Sequence, residues 1–307
     1  EIFKYSSSGK KKKKKIREKF YYEYLLAMNS EKVDEEFRIN LNIIATAITS
    51  QIKQRRSAES VNYLKADIDK ARQLQKSILP EHEFKFHDYD LYGLTNPAEI
   101  IGGDFFDYLE HGDEKDRLGV TIGDAASKGV GAAAEAMYIA GALRMASGFE
   151  IKIVALMRRL NQLVNRIFED DKFASLFYGE LSTHRTGLFL YANAGHNPPI
   201  FFKAKSEKAE YLEPTGPVLG PAPNAKYQVD SINFSKGDVL LLYSDGITES
   251  ANEKFEPYGD EKLLAKLKSL VQLTPKEITL GILDDVIKFS KNGKYSDDMT
   301  LVVIKKM

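Results

Sequence analysis

The chain has 307 residues, 43% of them apolar, enough to build one large domain with an added segment or two domains. Lysine plus arginine equals aspartate plus glutamate at 44 each, so no whole-chain field favours nucleic acid or a membrane surface, and no apolar run reaches the roughly 18 residues of a membrane span. Cysteine is absent, which excludes disulfides, thiolate metal sites and cysteine nucleophiles and fits a reducing cytoplasm.

The sequence starts at Glu1 rather than Met and shows no signal peptide. It reads as a cytoplasmic piece of a longer protein whose missing part could carry a sensor domain or a membrane anchor. Lys10 to Lys15 are consecutive lysines, followed by Arg17 and Lys19. The first expectation for them is a solvated loop, the second a juxtamembrane cluster for anionic lipid. Nucleic-acid binding is disfavoured because no aromatics interleave. Residues 1–30 are therefore assigned to a basic segment that could close an upstream sensor domain.

Helical periodicity covers residues 20–79. Phe37, Leu41, Ile44, Ile48 and Ile52 recur every three or four positions, as do Val61, Leu64, Ile68, Ala71, Gln75 and Ile78. No Gly or Pro interrupts residues 31–79, and Pro80 supplies the stop. An unbroken helix of this length would span roughly 70 Å at about 1.5 Å per residue. Residues 31–80 thus read as one long helix or a helix pair, forming a linker that dimerises as a parallel coiled coil. The step from Ile48 to Val61 is one residue short of two heptads, a skip that changes local winding.

After Pro80, short strands are expected at 89–95, 105–109, 118–122, 173–181, 187–192, 200–202, 227–232, 239–243 and 300–304. Helices are expected at 130–147, 151–168, 260–271 and 275–290. Strands in runs with helices in two pairs predict a layered α+β domain over 81–307 rather than a βαβ repeat.

Aspartates recur where these strands end: Asp104 in IIGGDFFDY, Asp124 in TIGDAASKG, Asp245 in YSDGITES, and Asp297 with Asp298 in YSDDMTLVVI. One such Asp is most often a turn cap. Several together suit hard divalent cations, which take oxygen ligands and would neutralise carboxylates that otherwise repel. Two ions about 3.5–4 Å apart could activate a water for attack on phosphorus. Two rival motifs fit poorly. GVGAAA with Glu150 mimics a dinucleotide fingerprint, but five residues separate the strand end from the first glycine. GGDFF has Phe105 where a GGDEF cyclase needs an acid.

Read together, ARQLQKSILP, NPAEIIGGDFFDY, TIGDAASKGVGAAAEAM, ASLFYGEL, YANAGHNPPI, LLLYSDGITES and YSDDMTLVVIK closely resemble the PPM-type metal-dependent serine/threonine phosphatases, in the bacterial SpoIIE/RsbU-like branch. The resemblance covers residues 70–307. It implies an α-β-β-α sandwich with a two-metal site holding Mn²⁺ or Mg²⁺. The implied metal set is Asp104, Asp124, the carbonyl of Ala125, Asp245, Asp297 and Asp298, with Asp124 and Asp245 central to catalysis. Asp124 would bridge both ions, and Asp104, Asp245 and Asp297 would complete the second ion's shell. Of the adjacent pair, Asp297 matches the family's ligand and Asp298 orients the loop. A metal-activated water would attack the phosphoester directly, with no phospho-enzyme.

The branch further implies a phosphorylated STAS-type anti-sigma-factor antagonist as substrate, and control by an upstream sensor through the helical linker. The alternative is a weak or inactive phosphatase-fold scaffold that binds a STAS partner. The metal loop departs from the family's D-V-x-G-K/H-G at Ser127, where serine would strain the loop if a positive φ were needed. Gly131 stands where proline is common. Lys128 is expected to be a solvated charge, with phosphate contact as the second option. His196, within a turn, is expected to be a structural hydrogen bonder rather than a general acid. Phe177 and Tyr178 are expected in the core.

Overall fold

Val239-Leu240-Leu241-Leu242-Tyr243 is apolar without alternation, the pattern of a strand covered on both faces. In the computed structural model, which describes residues 34–111, 115–168, 172–183, 187–291, 293 and 297–307, that run is a strand whose two faces enter two different cores. Leu240 and Leu242 pack between two sheets, while Val239, Leu241 and Tyr243 pack beneath helices.

Among the described residues, eleven strands form the two sheets: β1 (Glu83–Phe86), β2 (Tyr89–Asn96), β3 (Asp104–His111), β4 (Arg117–Ala125), β5 (Ala174–Ser182), β6 (Leu188–Ala194), β7 (Ile200–Lys203), β8 (Lys208–Tyr211), β9 (Asp230–Asn233), β10 (Val239–Tyr243) and β11 (Met299–Lys306). One sheet runs β1-β2-β11-β10-β7-β8 and the other β3-β4-β5-β6-β9. Every pairing between these strands is antiparallel. Two helices, α2 (Gly129–Ser147) and α3 (Ile153–Ile167), cover the second sheet through Ile139, Leu143, Met157 and Val164. The first sheet is covered by α5 (Gly259–Leu270) and α6 (Pro275–Phe289), with the single turn α4 (Asp245–Thr248) preceding them. The expected α-β-β-α sandwich is therefore the observed one.

The elements expected from sequence are present to within a few residues. β1, β8 and α4 were not anticipated, and their size explains it: β1 and β8 are four-residue edge strands, and α4 is a single turn. Because β5 follows α2 and α3 and lies antiparallel to β4, there is no parallel crossover, and the dinucleotide reading of GVGAAA falls. Phe105 is buried beneath α2 and α3.

α6 begins at a complete capping box, Thr274 with Glu277, and Pro275 occupies its first turn. Inside α2, Gly141 has open space where a Cβ would stand and no positive φ. Gly141→Ala is expected to stabilise the protein by about 0.5–1 kcal/mol, read as a higher urea midpoint at unchanged slope.

The amino-terminal helix α1 (Glu35–Ile78) is one continuous helix through the heptad skip, not a pair. The chain divides into two compact units, one ending at Asp67 and one beginning at Ile68, so the last turns of α1 belong to the second unit. Ile44, Ile48, Val61 and Leu64 on α1 are exposed, whereas Leu41 and Ala45 are buried. The lysines Lys10–Lys15 and the start of the expected helix, before residue 34, lie outside the described residues. Among the described residues, no helix is long and apolar enough to cross a membrane.

Candidate metal centre

Strand register carries the first two carboxylates. β3 and β4 pair so that Asp104 stands opposite Asp124. The turn before β3 can approach only because it lacks side chains. A Cβ on Gly103 would lie 2.8 Å from the Ala125 carbonyl oxygen and 3.4 Å from Asp124 Oδ1. The glycines of this turn serve close packing rather than an unusual φ.

The other sheet brings the remaining acids. β10 and β11 pair directly, so Asp245, at the start of α4, lies beside the segment that enters β11. Ser244 N donates to the Thr300 carbonyl, and a Cβ on Gly246 would stand 2.1 Å from the Asp298 carbonyl oxygen. Asp298 then crosses between the sheets. Its carboxylate accepts from the backbone N–H groups of Ala98 at 2.8 Å, Gly103 at 2.7 Å and Asp104 at 3.4 Å. Asp298 thus holds the Asp104 turn with its own oxygens.

The carboxylates share one electrostatic field. Burial pushes Asp104 well above the usual carboxylate range, and the charge of Asp124 adds to this, while the nearby hydroxyls of Ser244 and Thr300 oppose it. Asp124 is pushed up to about 7, first by burial and then by the charges of Asp245, Asp297 and Asp298. Asp245 is raised by burial, then by Glu249 and Asp297. Asp104 Oδ2 is buried with no hydrogen-bond partner. An orphaned carboxylate oxygen among mutually repelling acids is what a hard divalent cation would satisfy, so the donor set fits such ions.

Among the described residues, no group of three or more acidic or imidazole side chains is drawn together as an ion cage. Asp297 pairs with Lys128 at 3.3 Å and Asp298 with backbone amides. A cleft opens beside these groups, lined among others by Glu99, Ile101, Gly102, Ser127, Lys128 and Asp297.

Lys128 is largely exposed, as expected, but its partner is Asp297. Ser127 does not lie at positive φ, so the anticipated strain is absent; Gly129 takes the left-handed turn, at φ 68°. His196 is buried. Its Nδ1 shares a 2.7 Å hydrogen bond with Ser175 Oγ, and its backbone N–H and carbonyl are both bound by the Asn193 carboxamide. Burial lowers its pKa to about 4, so it is a neutral structural residue near pH 7. Phe177 packs between the sheets and Tyr178 under the helices, on opposite faces of β5.

Sequence reasoning missed Ser244 and Thr300: Ser244 Oγ donates to the Asp298 carbonyl and accepts from Thr300 N–H, which steadies the segment entering β11. Ser244 precedes Asp245 and Thr300 follows Asp298 by two residues, which was the available signal. It also missed Arg144 and the polar role of Gln75, which act on residues distant in the chain.

A family model described as Stage II sporulation protein E (SpoIIE) matches residues 114–306. Protein IcfG of Synechocystis sp. is 28% identical over 296 residues, covering 86% of this chain but 44% of IcfG, so the chain spans less than half of that relative. Phosphoserine phosphatase RsbU of Bacillus subtilis is 26% identical over 245 residues, 79% of this chain and 71% of RsbU. The RsbU and RsbW domains of Rv1364c from Mycobacterium tuberculosis superpose with a TM-score of 0.61 at 26% identity, covering 73% of this chain and 64% of that one. The SiaA-PP2C domain of Pseudomonas aeruginosa shares the fold, with a TM-score of 0.67 at 18% identity over 80% of this chain and 98% of its own.

Proposed function

Since the chain belongs to the SpoIIE family of PPM-type, PP2C-like phosphatases, we propose that it is a metal-dependent phosphoserine/phosphothreonine protein phosphatase working with two divalent cations, Mn²⁺ or Mg²⁺. The observation that carries this is the pairing of Asp104 with Asp124 across β3–β4, with Asp104 Oδ2 unpartnered and Asp245 and Asp297 within electrostatic reach. Asp124, the Ala125 carbonyl, Asp104, Asp245 and Asp297 would hold the ions, and Asp298 would keep the loop in place. Bound there, the cations would offset the carboxylate charge and lower the pKa of a water for attack on phosphorus.

The chain's own groups prepare that chemistry. Asp298 holds the backbone of the Asp104 turn, Ser244 ties Asp298 to the start of β11, and the strand ends of both sheets fix the carboxylate positions before substrate arrives. Lys128, at the cleft, is placed to exchange Asp297 for a substrate phosphate oxygen. The chain has no cysteine to form a phospho-enzyme.

The substrate in this reading is a phosphorylated STAS-domain antagonist of an anti-sigma factor, the class implied by the SpoIIE/RsbU-like branch. The linker is α1, dimerising through its exposed Ile44, Ile48, Val61 and Leu64 and passing on the state of an upstream sensor. Domain limits follow: a basic segment to residue 30, a linker to 80 and the phosphatase domain from 81, in the cytoplasm.

The test is phosphate release from a generic phosphoester with Mn²⁺ titrated in, comparing wild type with Asp245→Asn. Metal-dependent turnover that falls by on the order of 10²-fold or more in the variant is expected. Turnover in neither protein at millimolar Mn²⁺, with STAS-partner binding retained, would replace the enzyme by a scaffold.

A further inference from the structure

Gln75 sits in the last turn of α1, at a position of the apolar register that runs Ile68, Ala71, Gln75, Ile78. A carboxamide in an apolar stripe loses hydration unless both of its ends are bonded. Here both ends reach one residue 27 positions away: Nε2 donates to the Gly102 carbonyl at 2.6 Å, and Oε1 accepts from Gly102 N–H at 3.3 Å. A two-point hold of this kind fixes the orientation of the backbone, as a strand partner would.

Gly102 is also in contact with Asp298. A Cβ there would stand 2.0 Å from Asp298 Oδ2, so any larger residue would displace the Asp298 carboxylate. The next residue, Gly103, donates to Asp298, and the one after it is Asp104. A second tie lies beyond Asp104. Arg144 of α2 donates to the Ile78 carbonyl and grips Asp107 through Nε at 2.5 Å and Nη2 at 3.1 Å. The end of α1 is thus fastened on either side of Asp104 along the chain, at Gly102 directly and at Asp107 through Arg144.

We propose that Gln75 is a positioning residue for the cation-holding turn: its carboxamide fixes Gly102 and thereby sets where the Asp104 carboxylate stands. This rests on the phosphatase reading. The route is short, since two peptide units separate the clamped residue from the ligand, and a misplaced ligand weakens a site that demands near-octahedral oxygen geometry.

The experiment uses the full chain with Gln75→Ala, Gln75→Glu and, as control, Gln73→Ala on the exposed face of the same helix. The readouts are the Mn²⁺ dissociation constant by calorimetry, the metal-free melting temperature, and amide hydrogen exchange of residues 98–104. In Gln75→Ala the Mn²⁺ constant is expected to rise about tenfold, equivalent to about 1.4 kcal/mol. Exchange of the turn accelerates, the metal-free melting temperature holds, and turnover at saturating Mn²⁺ stays within about twofold. Gln75→Glu, which keeps the acceptor for Gly102 N–H but meets its carbonyl without a donor, weakens Mn²⁺ binding as well. Gln73→Ala changes nothing. A lower melting temperature with an unchanged Mn²⁺ constant in Gln75→Ala, or an equal loss in Gln73→Ala, overturns the proposal. A wild type that binds no Mn²⁺ overturns the phosphatase reading on which it rests.

Discussion

Asp124→Asn is expected to reduce metal-dependent phosphate release on the order of 10³-fold while raising the melting temperature of the metal-free protein. The two effects have one cause. Asp124 stands opposite Asp104 on adjacent strands and within the field of Asp245, Asp297 and Asp298, so its charge is costly until cations are present. The amide removes that charge and, with it, the ligand proposed to bridge the ions.

The pH dependence follows with a definite sign. Folding raises the Asp124 pKa from the ordinary carboxylate range to about 7. The stability it contributes is fully present below about pH 4 and is lost as pH rises through about 7. Asp104 is shifted in the same direction. Metal-free wild type should therefore melt at a lower temperature at pH 8 than at pH 5.5, Mn²⁺ should reverse the loss, and Asp124→Asn should flatten the dependence. Thermal melts at the two pH values, with and without Mn²⁺, decide it. Retained turnover, or a lower metal-free melting temperature in the variant, would remove Asp124 from the centre of the site.

Asp298→Ala is expected to destabilise the fold by about 2–5 kcal/mol, lowering the melting temperature by about 5–15 °C even without metal. Its oxygens accept from three backbone N–H groups of the 98–104 turn, and truncation leaves these amides without a partner next to a filled core. Asp297→Ala makes the contrast. Its carboxylate is partly exposed and paired with an exposed lysine, an interaction worth little in solution. That variant should keep its metal-free stability and lose Mn²⁺ affinity instead. Calorimetry with Mn²⁺ beside thermal melts of both variants separates a ligand from a loop holder. Equal stability losses in the two would merge roles that the hydrogen bonding keeps apart.

Much of the fold was legible because burial leaves a local imprint. Continuous apolar runs such as Val239–Tyr243 announced strands, and three-and-four spacing announced the amino-terminal helix. The edge strand β8 left little trace, since a short exposed strand has no apolar pattern to show, and β1 alternates over only four residues, with Phe84 and Phe86 turned to the core. At the site, the aspartates were visible through their turn motifs. Ser244 and Thr300 were passed over because a hydroxyl near a motif residue looks like turn chemistry until the hydrogen bond that joins the two, Thr300 N–H to Ser244 Oγ, is known.

Ser127 and Gln75 mark the limit more sharply. Serine in a glycine-rich loop suggested strain, yet the left-handed residue is Gly129, a choice that depends on how β4 delivers the chain into α2. Gln75 read as one more member of a helical stripe, yet its carboxamide clamps a glycine 27 residues away.

Sequence alone thus determined the layered α+β architecture, a helical amino-terminal segment and the set of acidic turns, because periodicity and turn chemistry act over a few residues. Only the tertiary structure decided which carboxylate faces which, that Asp298 binds amides, and that the end of α1 is fastened on both sides of Asp104. Those outcomes depend on strand register and on hydrogen bonds between residues far apart in the chain, which no local pattern encodes.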